Sequence, residues 1–146
     1  MIRRATIEDI PAMIALQRSV EEEDALWGYG ADSPEDWAKR DLEWAFLAMD
    51  GGRPVGFIYC SARPYSGECV FPVGARILEI VELVIAADHR CHGLGHELMK
   101  TTQRHAQAEG FTHLRVYSAA KRFDDIIKFY RSCGFTPWYL EMTKDI

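Results

Sequence analysis

The sequence predicts one mixed α/β domain, and three observations lead there. The chain has 146 residues, about the length of one ordinary domain with one substantial core. Two apolar runs, WAFLAM and PVGFIYC, flank Asp50-Gly51-Gly52, the signature of an antiparallel hairpin. Further on, the run Arg76 to Ala86 leads through a glycine turn and a helical stretch to a second strand-like run, FTHLRVY. A strand–helix–strand crossover of that kind requires a parallel pair, right-handed by the general rule.

Each element has a local reason. A short apolar start, Met1 and Ile2, precedes Thr6, which caps a helix expected over about Ile7 to Val20; Asp9, three residues on, gives a variant of the capping box. Ile10, Met13, Ile14 and Gln17 recur at mostly helical spacing. After the acidic run Glu21 to Asp24, Ser33 caps a second helix with Pro34 at its first position and Asp36 closing its first turn. Arg63 to Ala75 is punctuated by proline and glycine and reads as a loop. RILEIVELVIA, Arg76 to Ala86, is rich in β-branched residues and is the best strand in the chain. A helix from about Leu94 to Glu109 stops at Gly110, which tolerates a left-handed helix end. Asp124 to Ser132 is a short helix ending near Gly134, and TPWYLEM is expected as a final strand. The predicted order is α-α-β-β-β-α-β-α-β.

Composition excludes several classes. Net charge is −5, whereas a general nucleic-acid binder carries a basic face. No stretch approaches the ~20 apolar residues of a membrane span, and the first ten residues lack an apolar run. Cys60, Cys69, Cys91 and Cys133 are scattered without a CxxC pair, which reads as free thiols rather than a disulfide framework. The expectation is a soluble, cytoplasmic protein with no nucleic-acid or membrane partner.

The stretch ADHRCHGLGHELM, Ala87 to Met99, concentrates the chemistry. His92 and His96 are four apart, a spacing that can hold zinc on a helix. But His92 precedes the glycine turn, no HExxH frame is present, and with His89 no further ligand completes a site; no metal is expected. A dinucleotide turn needs a third small residue, and Leu98 stands there instead. The remaining reading is a strand entering a tight turn that opens a helix, where the first amides lack partners and the helix dipole favours an anion. Arg90 adds a positive charge. The plainer reading is that Gly93 and Gly95 only turn the chain.

Arg90-Cys91-His92-Gly93-Leu94-Gly95 fits the Q/R-x-x-G-x-G/A motif, and the chain thereby resembles the GNAT superfamily of acetyl-CoA-dependent N-acetyltransferases. LEIVELVI stands immediately upstream, and IIKFYRSCGF, Ile126 to Phe135, is similar to the family's second signature. The resemblance implies a single N-acetyltransferase domain over 1–146, with a parallel strand pair splayed around an acetyl-CoA cleft. It implies that Leu83, Val84 and Ile85 pair with the pantetheine arm. Arg90 and the amides across Cys91, His92, Gly93, Leu94, Gly95 and His96 would hold the pyrophosphate, and Tyr130 would lie near the thioester sulfur. Acetyl-CoA is then a cosubstrate, with no metal needed.

A primary amine must lose a proton to attack the acetyl carbonyl, and two carboxylates compete to take it. Glu79 and Glu82 are an odd number of positions apart, so in a regular strand they face opposite ways and only one can enter the acceptor groove. The resemblance favours Glu79, eleven positions before Arg90; Glu82 either faces solvent or is itself the groove residue. A strand amide near Leu83 would stabilise the oxyanion. Where many family members carry asparagine, seven residues before the tyrosine, this chain has Phe123, and SAAKRF lengthens the segment.

Glu21 to Asp24 with Trp27, Tyr29 and Trp37 would suit a cationic amine, either a small molecule (a polyamine or an aminoglycoside) or a peptide lysine or N-terminal amine. The competing reading is a solvated helix end beside core tryptophans. The rival function is a non-catalytic acyl-CoA-binding module, and a metal-dependent hydrolase is a more distant one. Dimers are common in the family, so the resemblance leaves a homodimer open.

Overall fold

The computed structural model describes all 146 residues. A five-stranded sheet runs in the order β1 (Ile2–Arg4), β2 (Ala45–Asp50), β3 (Arg53–Arg63), β4 (Ile77–Ile85), β5 (His113–Val116). The first four strands pair antiparallel, and β4 and β5 are parallel. Helices α1 (Ile10–Glu22) and α2 (Pro34–Ala38) cover one face; α3 (Leu94–Ala108) and α4 (Phe123–Ser132) cover the other. The sheet thus separates two cores. Met13, Ile14, Leu16 and Trp37 meet Leu47, Phe57, Tyr59 and Val84 beneath the first pair, and Leu98, Met99 and Ala106 meet Ile58, Cys60, Leu78 and Ile80 beneath the second.

Local chemistry accounts for the element starts. Asp9 accepts the Thr6 backbone N–H at 2.8 Å and its hydroxyl at 3.0 Å, opening a 3-10 turn that feeds α1. Arg3 adds two bonds to the same carboxylate, 2.6 and 2.7 Å, which hold its pKa at about 2. Ser33 and Asp36 form the expected reciprocal cap of α2. Gly110, just past α3, lies at φ +79°.

Two expectations need correction. The apolar start is not a lead-in but strand β1, antiparallel to β2. TPWYLEM forms no strand: residues 136–146 carry no regular structure, and Trp138, Tyr139, Leu140 and Met142 are exposed. Alternation of apolar residues supplies a face for burial, but a strand exists only when an edge pairs with it.

The feature that shapes the site lies in β4. Its pairing with β5 runs from Ile77↔His113 to Ile80↔Val116 and stops, so Val81 to Ile85 have β3 on one side only. At the same point the register with β3 shifts, from Cys60↔Ile80 to Tyr59↔Glu82, leaving Val81 as an extra residue. A bulge of this kind bends the strand and re-aims the side chains beyond it.

Candidate active site

The bulge overturns the alternation argument for the two glutamates. Without Val81 in the count, Glu79 and Glu82 share the α1/α2 face, as do Tyr59 and Val84, while Leu78 and Ile80 face α3. Shared orientation does not give them shared surroundings. Glu79 is buried in the paired part of β4, where Arg63 Nε donates to Oε1 at 3.1 Å, Arg63 Nη2 stands 3.1 Å from the same oxygen as an ion pair, and Arg115 Nε stands 3.5 Å from Oε2. Arg115 is also tied to Glu68 of the long loop at 3.2 Å.

Glu82 sits where β4 has left β5. It is partly buried under α1, accepts a hydrogen bond from Gln17 Nε2 at 2.8 Å and a short one from the Tyr29 hydroxyl, and has no cationic partner in contact. Burial pushes its carboxyl above the usual carboxylate range, the two hydrogen bonds pull the other way, and nearby Asp32 adds to the rise. Tyr29 is raised as well, by burial first and then by Glu82.

The orientation of the free edge can be read from one bond. Ala86 N–H donates to Val55 O on β3 at 2.8 Å, so strand alternation turns the main-chain groups of Leu83 and Ile85 to the edge that β5 has left, and those of Val84 to β3. The Ile85 carbonyl already accepts from Arg90 Nε at 2.9 Å.

β4 then enters a 3-10 turn, Ala87–His89, and the glycine turn. Cys91 and Gly93 both take positive φ, +63° and +83°. At Gly93 that backbone is natural and a side chain would be strained; Cys91 is held there against its preference. No side chain caps α3, and none of the amides from Cys91 to His96 has an intramolecular acceptor. This row of donors at a helix start is suited to an anion of diphosphate size, and in that respect the residues present fit the coenzyme the motif implies. The guanidinium of Arg90 is not free to add its charge: Nη1 and Nη2 hold the Glu23 carboxylate at 2.6 and 2.7 Å, keeping it below its ordinary range.

The three histidines do not converge. His89 bridges Asp50 (3.1 Å) and Asp88 (2.7 Å), His96 meets Ser132 Oγ at 2.8 Å, and no group of three or more His, Cys, Asp or Glu is placed to hold a metal ion.

On the opposite face Tyr130 packs edge-on between Phe129 and Phe135. Burial raises its phenol, with the Cys133 and Cys60 thiols adding to the shift; Cys60 is paired with Ile80 at the bulge. The sheet therefore parts with a carboxylate, Glu82, on one face and a phenol, Tyr130, on the other. Phe123 opens α4 and is exposed.

The aromatic and acidic rim separates into parts. Trp37 is fully buried core, Tyr29 reaches Glu82, and Trp27 is exposed beneath Lys121 Nζ at 4.6 Å. Lys121 also binds Asp24 at 2.7 Å, and Leu26 and Ala120 form an antiparallel bridge, so SAAKRF is docked on the α1–α2 loop. The sequence marks Gln17 only as part of the helical stripe of the first helix, and Asp32 not at all. A polar residue on the buried stripe of α1 was the available signal for Gln17; Asp32 had none.

The Acetyltransferase (GNAT) family profile matches residues 11–135, and the chain belongs to that family. It is a GNAT-type acetyltransferase. Solved structures agree on the fold. An aminoglycoside N-acetyltransferase, AAC(6')-Iy, solved in complex with CoA, is 16% identical with a TM-score of 0.73, over 100% of this chain and 98% of that one. A transcriptional regulator from Bacillus halodurans C-125 is 18% identical at 0.75, over 100% and 99%. An aminoglycoside acetyltransferase from an uncultured soil metagenomic sample is 20% identical at 0.71, over 100% and 95%. Comparison with curated protein sequences returned no match. No helix is long and apolar enough to cross a membrane.

Proposed function

We propose that this protein, one domain over 1–146, transfers an acetyl group from acetyl-CoA to the primary amine of a small cationic acceptor by direct attack in a ternary complex. One observation carries the reading: β4 parts from β5 at a bulge that sets Glu82 beside the unpaired edge of Leu83 and Ile85, just upstream of the partnerless amides at Cys91 to His96.

The chain's residues divide the work. Amides from Cys91 to His96 hold the diphosphate, and the free edge at Leu83 and Ile85, not Val84, whose main chain turns to β3, lines the pantetheine arm. Glu82 takes the proton the amine must lose, directly or through one water; a carboxyl above the ordinary range is a stronger base than an exposed one. The amine nitrogen bonds to the acetyl carbon, and the Leu83 N–H donates to the oxygen that gains charge. The carbon–sulfur bond then breaks, the Tyr130 hydroxyl gives its proton to the departing sulfur, and the second proton of the new amide nitrogen leaves to water, from which Tyr130 is reprotonated. Glu79 is assigned a structural part, since its carboxylate is committed to Arg63 and Arg115.

Support for a cationic acceptor comes from Glu82, Asp32 and Glu21 around Tyr29, and from the names of the structural neighbours, two of which are aminoglycoside acetyltransferases. The test is thiol release from acetyl-CoA with sisomicin, spermidine, a lysine peptide and glutamate as acceptors. Turnover of the cationic amines is expected. Turnover of glutamate alone removes the acceptor class, and no calorimetric binding of acetyl-CoA removes the whole reading.

A further inference from the structure

We propose that Gln17 is the positioning residue for Glu82: its single amide nitrogen ties the Glu82 carboxylate to the Asp32–Arg40 ion pair and fixes where that carboxylate stands. The proposal rests on the reading of Glu82 as the base, but its test reads the carboxylate itself.

A carboxamide has a fixed bonding capacity, two donors and two acceptor positions. Gln17 is 1% exposed, and all four are used. Its Oε1 accepts from Trp37 Nε1 at 3.1 Å and from the Asp32 backbone N–H at 3.2 Å. Its Nε2 donates to Asp32 Oδ2 at 2.6 Å and to Glu82 Oε2 at 2.8 Å. The indole and the backbone amide can only donate, so the carboxamide cannot flip without setting donor against donor on one side and oxygen against two carboxylates on the other. Its nitrogen is therefore committed to the two carboxylates.

The far end is anchored too. Arg40 Nη2 lies 2.9 Å from Asp32 Oδ2, and its guanidinium stacks over Trp37 at 4.2 Å and Tyr59 at 4.9 Å. Arg40, Asp32, Gln17, Glu82 and Tyr29 thus form one connected line across the α1/α2 face. Tyr59 lies opposite Glu82 on β3, and Glu21 stands near Tyr29. In this line Gln17 stabilises the ionised Glu82 through a charge-assisted bond, while Asp32 opposes ionisation through space and Arg40 favours it. Removing the Gln17 donor and removing the Asp32 charge must therefore move Glu82 in opposite directions.

The experiment is a carboxyl titration by NMR of the ligand-free protein, labelled at glutamate Cδ, with the Glu82 signal identified by its loss in Glu82→Gln. Gln17→Met, similar in volume but without donors, is expected to raise the Glu82 midpoint by ~1 pH unit. Asp32→Asn is expected to lower it. An unmoved or lowered midpoint in Gln17→Met overturns the proposal. If that variant does not fold, Asp32→Asn decides, and an unmoved or raised midpoint there overturns it equally. The pH–rate profile with acetyl-CoA and sisomicin separates the two readings: midpoints that move as expected while the acid limb of kcat stays put uphold Gln17 and remove Glu82 as base.

Discussion

Glu82→Gln tests the chemistry with the least disturbance to the fold. The substituted side chain keeps its shape, and its neighbours can satisfy it. Its carbonyl oxygen accepts from Gln17 Nε2, and its amide donates to the Tyr29 oxygen, because a phenol both donates and accepts. The Tyr29 hydroxyl hydrogen gives up its carboxylate acceptor and turns to water, which the half-buried Tyr29 can reach, so stability should change by ~1 kcal/mol or less, a shift of about 3 °C or less in Tm for a chain of this size. The rate should behave otherwise. Loss of a positioned general base costs roughly 10²–10⁴-fold, and the acid limb of the pH–rate profile should vanish with it. The raised carboxyl sets the direction of that limb: activity needs the ionised form and is lost as pH falls through the Glu82 midpoint. Glu79→Gln is the paired control. It leaves the Arg63 and Arg115 guanidiniums facing a neutral amide, which should cost ~1–2 kcal/mol of stability and far less rate. Thiol release and thermal melts on both variants suffice. A stable Glu79→Gln with the larger rate loss, beside a Glu82→Gln of near-normal rate, would refute the assignment.

Three further outcomes are expected. Tyr130→Phe, which removes only an oxygen, should lower kcat at least about ten-fold while calorimetry shows acetyl-CoA binding unchanged. Gly56→Ala should destabilise by ~1–3 kcal/mol in urea unfolding, because its Cβ would stand 2.7 Å from the Val84 carbonyl oxygen and 2.6 Å from Ile85 Cδ1, and the backbone contact cannot give way; equal or greater stability would contradict the close approach of β3 and β4. Asp9, held at about 2 by Arg3 against an ordinary 3.8, contributes stability that is present above about pH 4 and lost as pH falls through about 2. Asp9→Asn should therefore be less stable at neutral pH, by ~1 kcal/mol given the exposure of Arg3, and converge on the parent as pH falls below about 2.

Short-range chemistry could be read from the residues alone. The Thr6/Asp9 and Ser33/Asp36 caps, the Asp50-Gly51-Gly52 hairpin, the glycine turn into α3 and the Tyr130 helix ending at Gly134 all depend on groups a few residues apart, and all were legible. The family motif was legible for the same reason, since the amides it exposes belong to one contiguous segment. Features that need a distant partner emerged only on folding. TPWYLEM alternates like a strand, yet no edge pairs with it. Glu79 and Glu82 look opposed by parity, yet one extra residue in β4, defined only against β3, returns them to one face. Arg90 looks like a free charge until Glu23, at the far end of α1, is brought against it. Gln17, Asp32 and Glu82 are separated by fifteen and sixty-five positions from the first to each of the others, and no local pattern encodes a hydrogen bond whose partners the chain brings together only by folding.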